Sequence, residues 1–270
     1  MGSAIGLFEP LQKDPTSNDV DRFFTELFQI AKQRNYRVNK LGDLGTDALY
    51  LLVPPKPIKS HRLLVSAGFH GNEPAGCWGV LNFLKKVPQS LLDKISVSFL
   101  PMVNPTGARR HNPCNIWQGS PNRGFVPRYP STQQRPTIEG QLLLKNLKLL
   151  LFLAKDGFHT LHEDYEQNRF YLYSNEDRDT PGEFTKYMIG VGKSMCDLVP
   201  NGKYETGMVQ DGVIFNLCDG SFETLLCDHD IPRIICTETP SKLDFPFRVN
   251  MSTALILAFV RYHVNKFFIR

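Results

Sequence analysis

Three apolar runs constrain this chain more than any other feature: "HRLLVSAGFH" (61–70), "ISVSFLPMVN" (95–104) and "IPRIICTETP" (231–240). Each is near-continuously hydrophobic and rich in β-branched or bulky residues. Each then breaks off into polar side chains. A strand with apolar residues on both faces is covered on both faces, and such runs belong to a mainly parallel sheet sandwiched by helices. The intervening segments supply those helices. Residues 17–34 place Phe23, Phe24, Leu27, Phe28 and Ile30 at helical spacing, with Ser17 or Asn18 as the expected cap. "PAGCWGVLNFLKKV" begins with proline at its first turn. "TIEGQLLLKNLKLLLFLA" and "PGEFTKYMIGVGKSMCDLV" read as two more helices, and a C-terminal helix is expected from about Phe247. Residues 36–54 alternate and break at Gly42 and Gly45, predicting two edge strands joined by a turn. "DGFHTLHED" and "RFYLYS" read as short strands. The expected architecture is one α/β domain over residues 1–270, built on a mixed, mainly parallel sheet flanked by helices.

The bulk numbers narrow the function classes. At 270 residues, with 41% hydrophobic and 21% charged residues, the chain can bury a sizeable core. A net charge of +4 without blocks of like charge gives no reason to expect nucleic acid as a partner. No run approaches the roughly 18–20 apolar residues of a membrane span. The six cysteines form no C-x-x-C pair and several sit in apolar runs, which predicts free thiols. With no signal-like N-terminal segment, the expected setting is reducing and cytoplasmic. The pattern fixes no oligomeric state.

Chemistry concentrates where the apolar runs end. In open α/β sheets ligands bind beyond the carboxyl ends of the strands. The first run ends in His70-Gly71-Asn72-Glu73, an imidazole and a carboxylate three residues apart, and both side chains ligate metals. A hydrolytic zinc site needs about three protein ligands and an open position, so a third must come from elsewhere. His159 and His162 lie three apart in "FHTLHED", and alternation sends them to opposite faces. His162, at the carboxyl end like His70, is the better candidate. Glu238 ends the third run in "ICTETPS", where a carboxylate can serve as a general base. Residues 105–136, rich in Pro, Asn, Arg and Gly, form a long loop, and its arginines suit a carboxylate or a developing oxyanion.

Taken together, "GFHGNEPAG", "NPTGARRHN", "SPNRGF", "LHEDYEQNRFYLYS" and "TETPS" resemble the zinc carboxypeptidase superfamily. The branch resembled holds succinylglutamate desuccinylase, aspartoacylase and the murein-peptide amidases. The pieces occur in the expected order over residues 64–241. The resemblance implies a central mixed sheet of about eight strands. It implies one Zn²⁺ held by His70, Glu73 and His162, with Arg110 on the scissile carbonyl and oxyanion. Asn122 and Arg123 would bind a substrate carboxylate, and Glu238 would act as base and then acid. The implied activity is a metallocarboxypeptidase or peptide amidase acting on a small peptide. An N-acyl amino acid deacylase is the alternative, and a metal-retaining binding module is a further one. The sequence departs from the family in one place: the usual aspartate two residues before Asn122 is Ser120. That aspartate orients a zinc-bound histidine, so either the Ser120 hydroxyl or another carboxylate must take its place. Tyr204 is the candidate for the tyrosine that covers the substrate in this superfamily.

Overall fold

A computed structural model describes residues 18–55, 61–129, 135–204, 207–216 and 218–268. The chain opens with helix α1 (Val20–Gln33), which buries Phe23, Leu27, Ile30 and Ala31 along one stripe. Its cap is Asp19, whose carboxylate accepts the Arg22 N–H at 2.9 Å. Asn18 is therefore not the cap, and Ser17 lies outside the described residues. Strands β1 (Arg37–Leu44) and β2 (Asp47–Val53) form a hairpin turning at Gly45. Then follow β3 (Arg62–Ala67), α2 (Pro74–Lys86), α3 (Gln89–Leu92), β4 (Ser96–Leu100) and the single turn α4 (Pro105–Ala108).

The leucine-rich segment expected as one helix is two, α5 (Ile138–Lys145) and α6 (Leu147–Leu153). The break is at Asn146, whose side-chain amide donates to the Leu142 carbonyl at 2.8 Å and competes with the helical ladder. The remainder runs β5 (Gly157–Asp164), β6 (Tyr171–Glu176), α7 (Glu183–Lys193), β7 (Gly202–Lys203), β8 (Met208–Val209), β9 (Val213–Phe215), α8 (Phe222–Cys227), β10 (Arg233–Pro240) and α9 (Phe245–Phe268). Among the described residues, no helix is long and apolar enough to cross a membrane. The six cysteines are unpaired, with Cys77 and Cys236 buried.

Among the described residues, eight strands form one sheet in the order β1-β2-β4-β3-β5-β10-β6-β9. β4, β3, β5 and β10 run parallel, as do β6 and β9, while β1, β2 and β6 introduce the antiparallel pairings. Of the expected edge pair, β1 is the edge and β2 is interior and largely buried. Alternation divides the core between the two faces. Leu63, Val65, Leu161 and Ile235 pack with residues of α1, α2, α7 and α9, whereas Leu64, Phe158 and Ile234 pack with residues of α5, α6 and α8. The same alternation sends His159 toward Phe259 of α9 and His162 toward Phe69 and the α8 side.

Candidate metal centre

Three adjacent parallel strands deliver the site. β3 leads into His70 and Glu73, β5 carries His162 near its end, and β10 places Glu238 directly beside His162 in register. Past β3 the chain turns at Gly68, which has φ +67°, so the backbone needs glycine there. At Gly71 the requirement is steric. Its N–H donates to the Asn112 carbonyl at 3.0 Å, and a Cβ would overlap the Gly107 carbonyl carbon. The glycine inside H-G-N-E thus lets the ligand turn seat directly on α4.

Glu73 is the hub. Its Oε1 lies 2.6 Å from His70 Nδ1 and its Oε2 lies 2.7 Å from His162 Nδ1. Ligand atoms of the three side chains lie within 4.8 Å of one another. Burial alone would raise the Glu73 pKa, but the facing imidazoles outweigh it and hold the carboxyl well below its usual value. For His162 the signs reverse: burial lowers its pKa, and Glu73, with Glu238 and Glu223 behind it, carries it up to about 9. Two imidazole nitrogens and a carboxylate, grouped within 4.8 Å of one another beside a cavity, form the N,N,O donor set that zinc takes in hydrolytic sites. The residues therefore fit the ion that the family resemblance implies.

Two cavities meet at this cluster. One, of about 500 Å³, is lined by His70, Glu73, Arg123, Tyr165, Tyr204 and Glu238 among others. The other, of about 80 Å³, runs deeper, past Arg123 and Asp219 to Glu223 and Cys236. Glu238 belongs to both. Burial raises its pKa, His162 opposes this, and Glu73 and Asp164 add to it, leaving the carboxyl near 8, about where a proton-transferring group is most useful. The Cys236 thiol donates to its Oε1 at 3.7 Å.

The other sequence-predicted residues divide. Arg123 lines both cavities, with Nη1 on the Asn122 carbonyl at 2.8 Å and 3.4 Å from Asp219. Asn122 is buried and bridges: its Oδ1 accepts the Phe222 N–H at 2.9 Å and its Nδ2 donates to Glu223 at 3.0 Å. Tyr204 lines the larger cavity beside Tyr171, their rings 5.2 Å apart. Arg110 is exposed one turn beyond α4 and lines neither cavity. His159 sits on the opposite sheet face, bonded to Thr237 Oγ1 at 3.0 Å.

Sequence reasoning missed Glu163 and Glu223. Glu163 accepts the Ala75 N–H at 2.7 Å and pairs with Arg248, tying β5 to α2 and α9. That contact steadies His162 and Glu73 against each other. The available signal was positional: Glu163 follows His162 and must point to the opposite face. Glu223 had a fainter one, the Ser221-x-x-Thr224 start of α8, where Ser221 Oγ accepts the Thr224 N–H at 3.3 Å.

No protein-family model matches the sequence, and no curated protein matches it significantly. Solved structures do. A "putative metallopeptidase" from Shewanella baltica OS155 is 34% identical over 95% of this chain and 98% of its own, with a TM-score of 0.87. One of the same description from Shewanella denitrificans OS217 is 33% identical over 96% of this chain and 98% of its own, with a TM-score of 0.86. A metallo-carboxypeptidase from Burkholderia cenocepacia is 16% identical over 92% of this chain and 69% of its own; its TM-score of 0.66 shows a shared fold.

Proposed function

This chain belongs to the same metallopeptidase family as the two Shewanella proteins, and on that premise we propose that it is a zinc-dependent hydrolase of carboxypeptidase type, cutting an amide bond next to a carboxylate-bearing group. The observation that carries the proposal is the convergence of His70, Glu73 and His162 beside a cavity that also holds Glu238 and Arg123. Bound there, Zn²⁺ would supply Lewis acidity, polarising the carbonyl and lowering the pKa of water to about 7. Glu238 takes the proton of the attacking water at its carboxylate and returns it to the departing amine. Arg123 anchors the substrate carboxylate, and buried Asn122 holds the backbone from which Arg123 projects. Arg110 keeps its assignment to the developing oxyanion on the sequence resemblance alone.

The larger cavity, rimmed by Tyr165, Lys203 and Tyr204, has room for more than one amino acid. That supports a peptide substrate over an N-acyl amino acid. A zinc-loaded preparation assayed against peptides with free and amidated C-termini and against N-acyl amino acids tests the reading. Cleavage of free-ended peptides only is expected. Glu238→Ala is expected to keep stoichiometric zinc while lowering turnover by about 10²–10⁴-fold. Full activity in that variant overturns the assigned base. Bound zinc with no turnover across the panel makes the protein a binding module.

A further inference from the structure

Resting on that reading of the metal centre, we propose that Glu223 is a positioning residue for His162: its carboxylate is the acceptor for the imidazole Nε2–H and so fixes Nδ1 as the nitrogen presented to the ion. His162 turns Nδ1 to Glu73, at 2.7 Å, and to the ligand cluster. An imidazole that gives that lone pair to a cation keeps its one proton on Nε2. His162 is buried, so this N–H needs an acceptor.

Two groups stand near it. Asn122 Nδ2 is 3.5 Å away, but the Phe222 N–H on Oδ1 fixes that amide, so Nδ2 is a donor and cannot accept. Glu223 Oε1 is 4.0 Å away. Its sister oxygen accepts from Asn122 at 3.0 Å, while Oε1 itself is buried and has no partner among the described residues. A group standing between the Asn122 amide and the His162 N–H must accept at both ends. A carboxylate does so; a carboxamide presents a donor to one of them. This accounts for glutamate rather than glutamine at 223. At 4.0 Å the contact is an ion pair and not a hydrogen bond, and ligation of Nδ1 is expected to draw it closer.

The arrangement also answers the departure at Ser120. The carboxylate that orients a ligating imidazole comes from α8 in place of the N-R loop, and it serves the histidine on β5. His162, Glu223 and Cys236 also form a second group of three donor atoms within 4.8 Å. There, however, burial and the neighbouring carboxylates push the Cys236 thiol far up, which disfavours the thiolate a metal would need.

The test uses the full chain, stripped with a chelator and titrated with Zn²⁺ against a chromophoric competitor, and with Co²⁺ followed by its visible absorption. Wild type, Glu223→Gln and Glu223→Ala are each expected to bind one ion. Both variants are expected to bind it about 10–100-fold more weakly, with shifted Co²⁺ bands. Added formate is expected to restore part of the affinity to Glu223→Ala, whose vacated space opens on the deeper cavity, and none to Glu223→Gln. Thermal unfolding of the stripped proteins checks folding, and the isosteric Gln variant carries the test if Ala does not fold. Unchanged affinity and spectrum in Glu223→Gln overturn the inference and leave the metal centre standing. Failure of the wild type to bind an ion overturns both. Two ions in the wild type and one in Glu223→Ala make Glu223 a ligand, which also overturns the positioning role.

Discussion

His159 and His162 stand three residues apart on β5 and are both buried, yet they meet opposite conditions. His159 faces α9, with Phe259 5.3 Å away between ring centres; among the described residues Thr237 is its one hydrogen-bond partner and its Nδ1 has none. Burial drives its pKa down to about 3, and the imidazole is neutral. His263 of α9 is its companion. Its Nδ1 donates to the Phe259 carbonyl at 2.8 Å, its Nε2 accepts from Arg233 at 3.0 Å, and burial again takes it to about 3. His162, with Glu73 against its Nδ1, goes the other way. Burial is common to all three histidines. What makes one of them a ligand candidate is the facing carboxylate, and the strand's two-residue alternation decides which histidine receives it.

The sharpest way to break this contrast is substitution on each face. His162→Ala is expected to abolish stoichiometric zinc binding, measured by elemental analysis after dialysis, and with it all hydrolysis. His159→Phe is expected to keep the ion. Equal metal content in the two variants would erase the distinction between the faces.

A smaller effect is expected from acid, read as unfolding free energy against pH in chelator-treated protein. A histidine with its folded pKa depressed contributes stability that is complete above its unfolded value of 6.5 and is lost as pH falls toward 3. Each of His159 and His263 therefore costs up to about 1.4 kcal/mol per pH unit in that window. Glu163, raised to about 7 by burial, and Glu238, raised to about 8, have the opposite sign: the folded carboxyl holds a proton that the unfolded one, at 4.5, does not. The two pairs offset each other between pH 6.5 and 4.5. Below 4.5 the offset ends, and Glu73, whose folded pKa is depressed, adds to the loss. The expected curve is nearly level between pH 6.5 and 4.5 and falls steeply below about pH 4.5; above pH 6.5 it declines toward pH 9, as folded Glu163, Glu238 and His162 give up protons that the unfolded chain has already lost. A fall already under way between pH 6 and 5 would mean that the buried carboxyls do not balance the buried imidazoles. The smallest effect is expected from Thr237→Val, which removes the hydrogen-bond partner of His159 Nε2. It should cost about 1–3 kcal/mol in urea unfolding and leave zinc stoichiometry unchanged.

Much of this was legible in the sequence because the site lies where apolar runs stop. The runs named β3, β4 and β10, and their ends named His70, Glu73 and Glu238. Alternation chose His162 over His159. What escaped depended on contacts between distant segments. Glu223 and Glu163 are ordinary glutamates in sequence, and only α8 folding over Asn122, or α9 bringing Arg248, buries them. The Asn146 break depends on one side chain winning a carbonyl from the helix. Arg110 carries a family-like motif, but α4 ends at Ala108 and His111 takes φ +49°, and Arg110 lies exposed at this turn. The insertion of β10 between β5 and β6 was equally invisible, since no local pattern records which strands become neighbours.

That insertion has a consequence for how the sheet and the site are joined. The short connection from β5 to β6 crosses the end of β10, where Ser241 N–H meets the Asp164 carbonyl at 3.0 Å and Lys242 N–H meets that of Gln167 at 3.2 Å. His70, Glu73 and His162 all precede residues 233–240 in the chain. Without β10 the sheet would be two separate halves, β1-β2-β4-β3-β5 and β6-β9, and would lack Glu238. On the proposed function, the strand that would deliver the base is thus also the one that joins the two halves of the sheet.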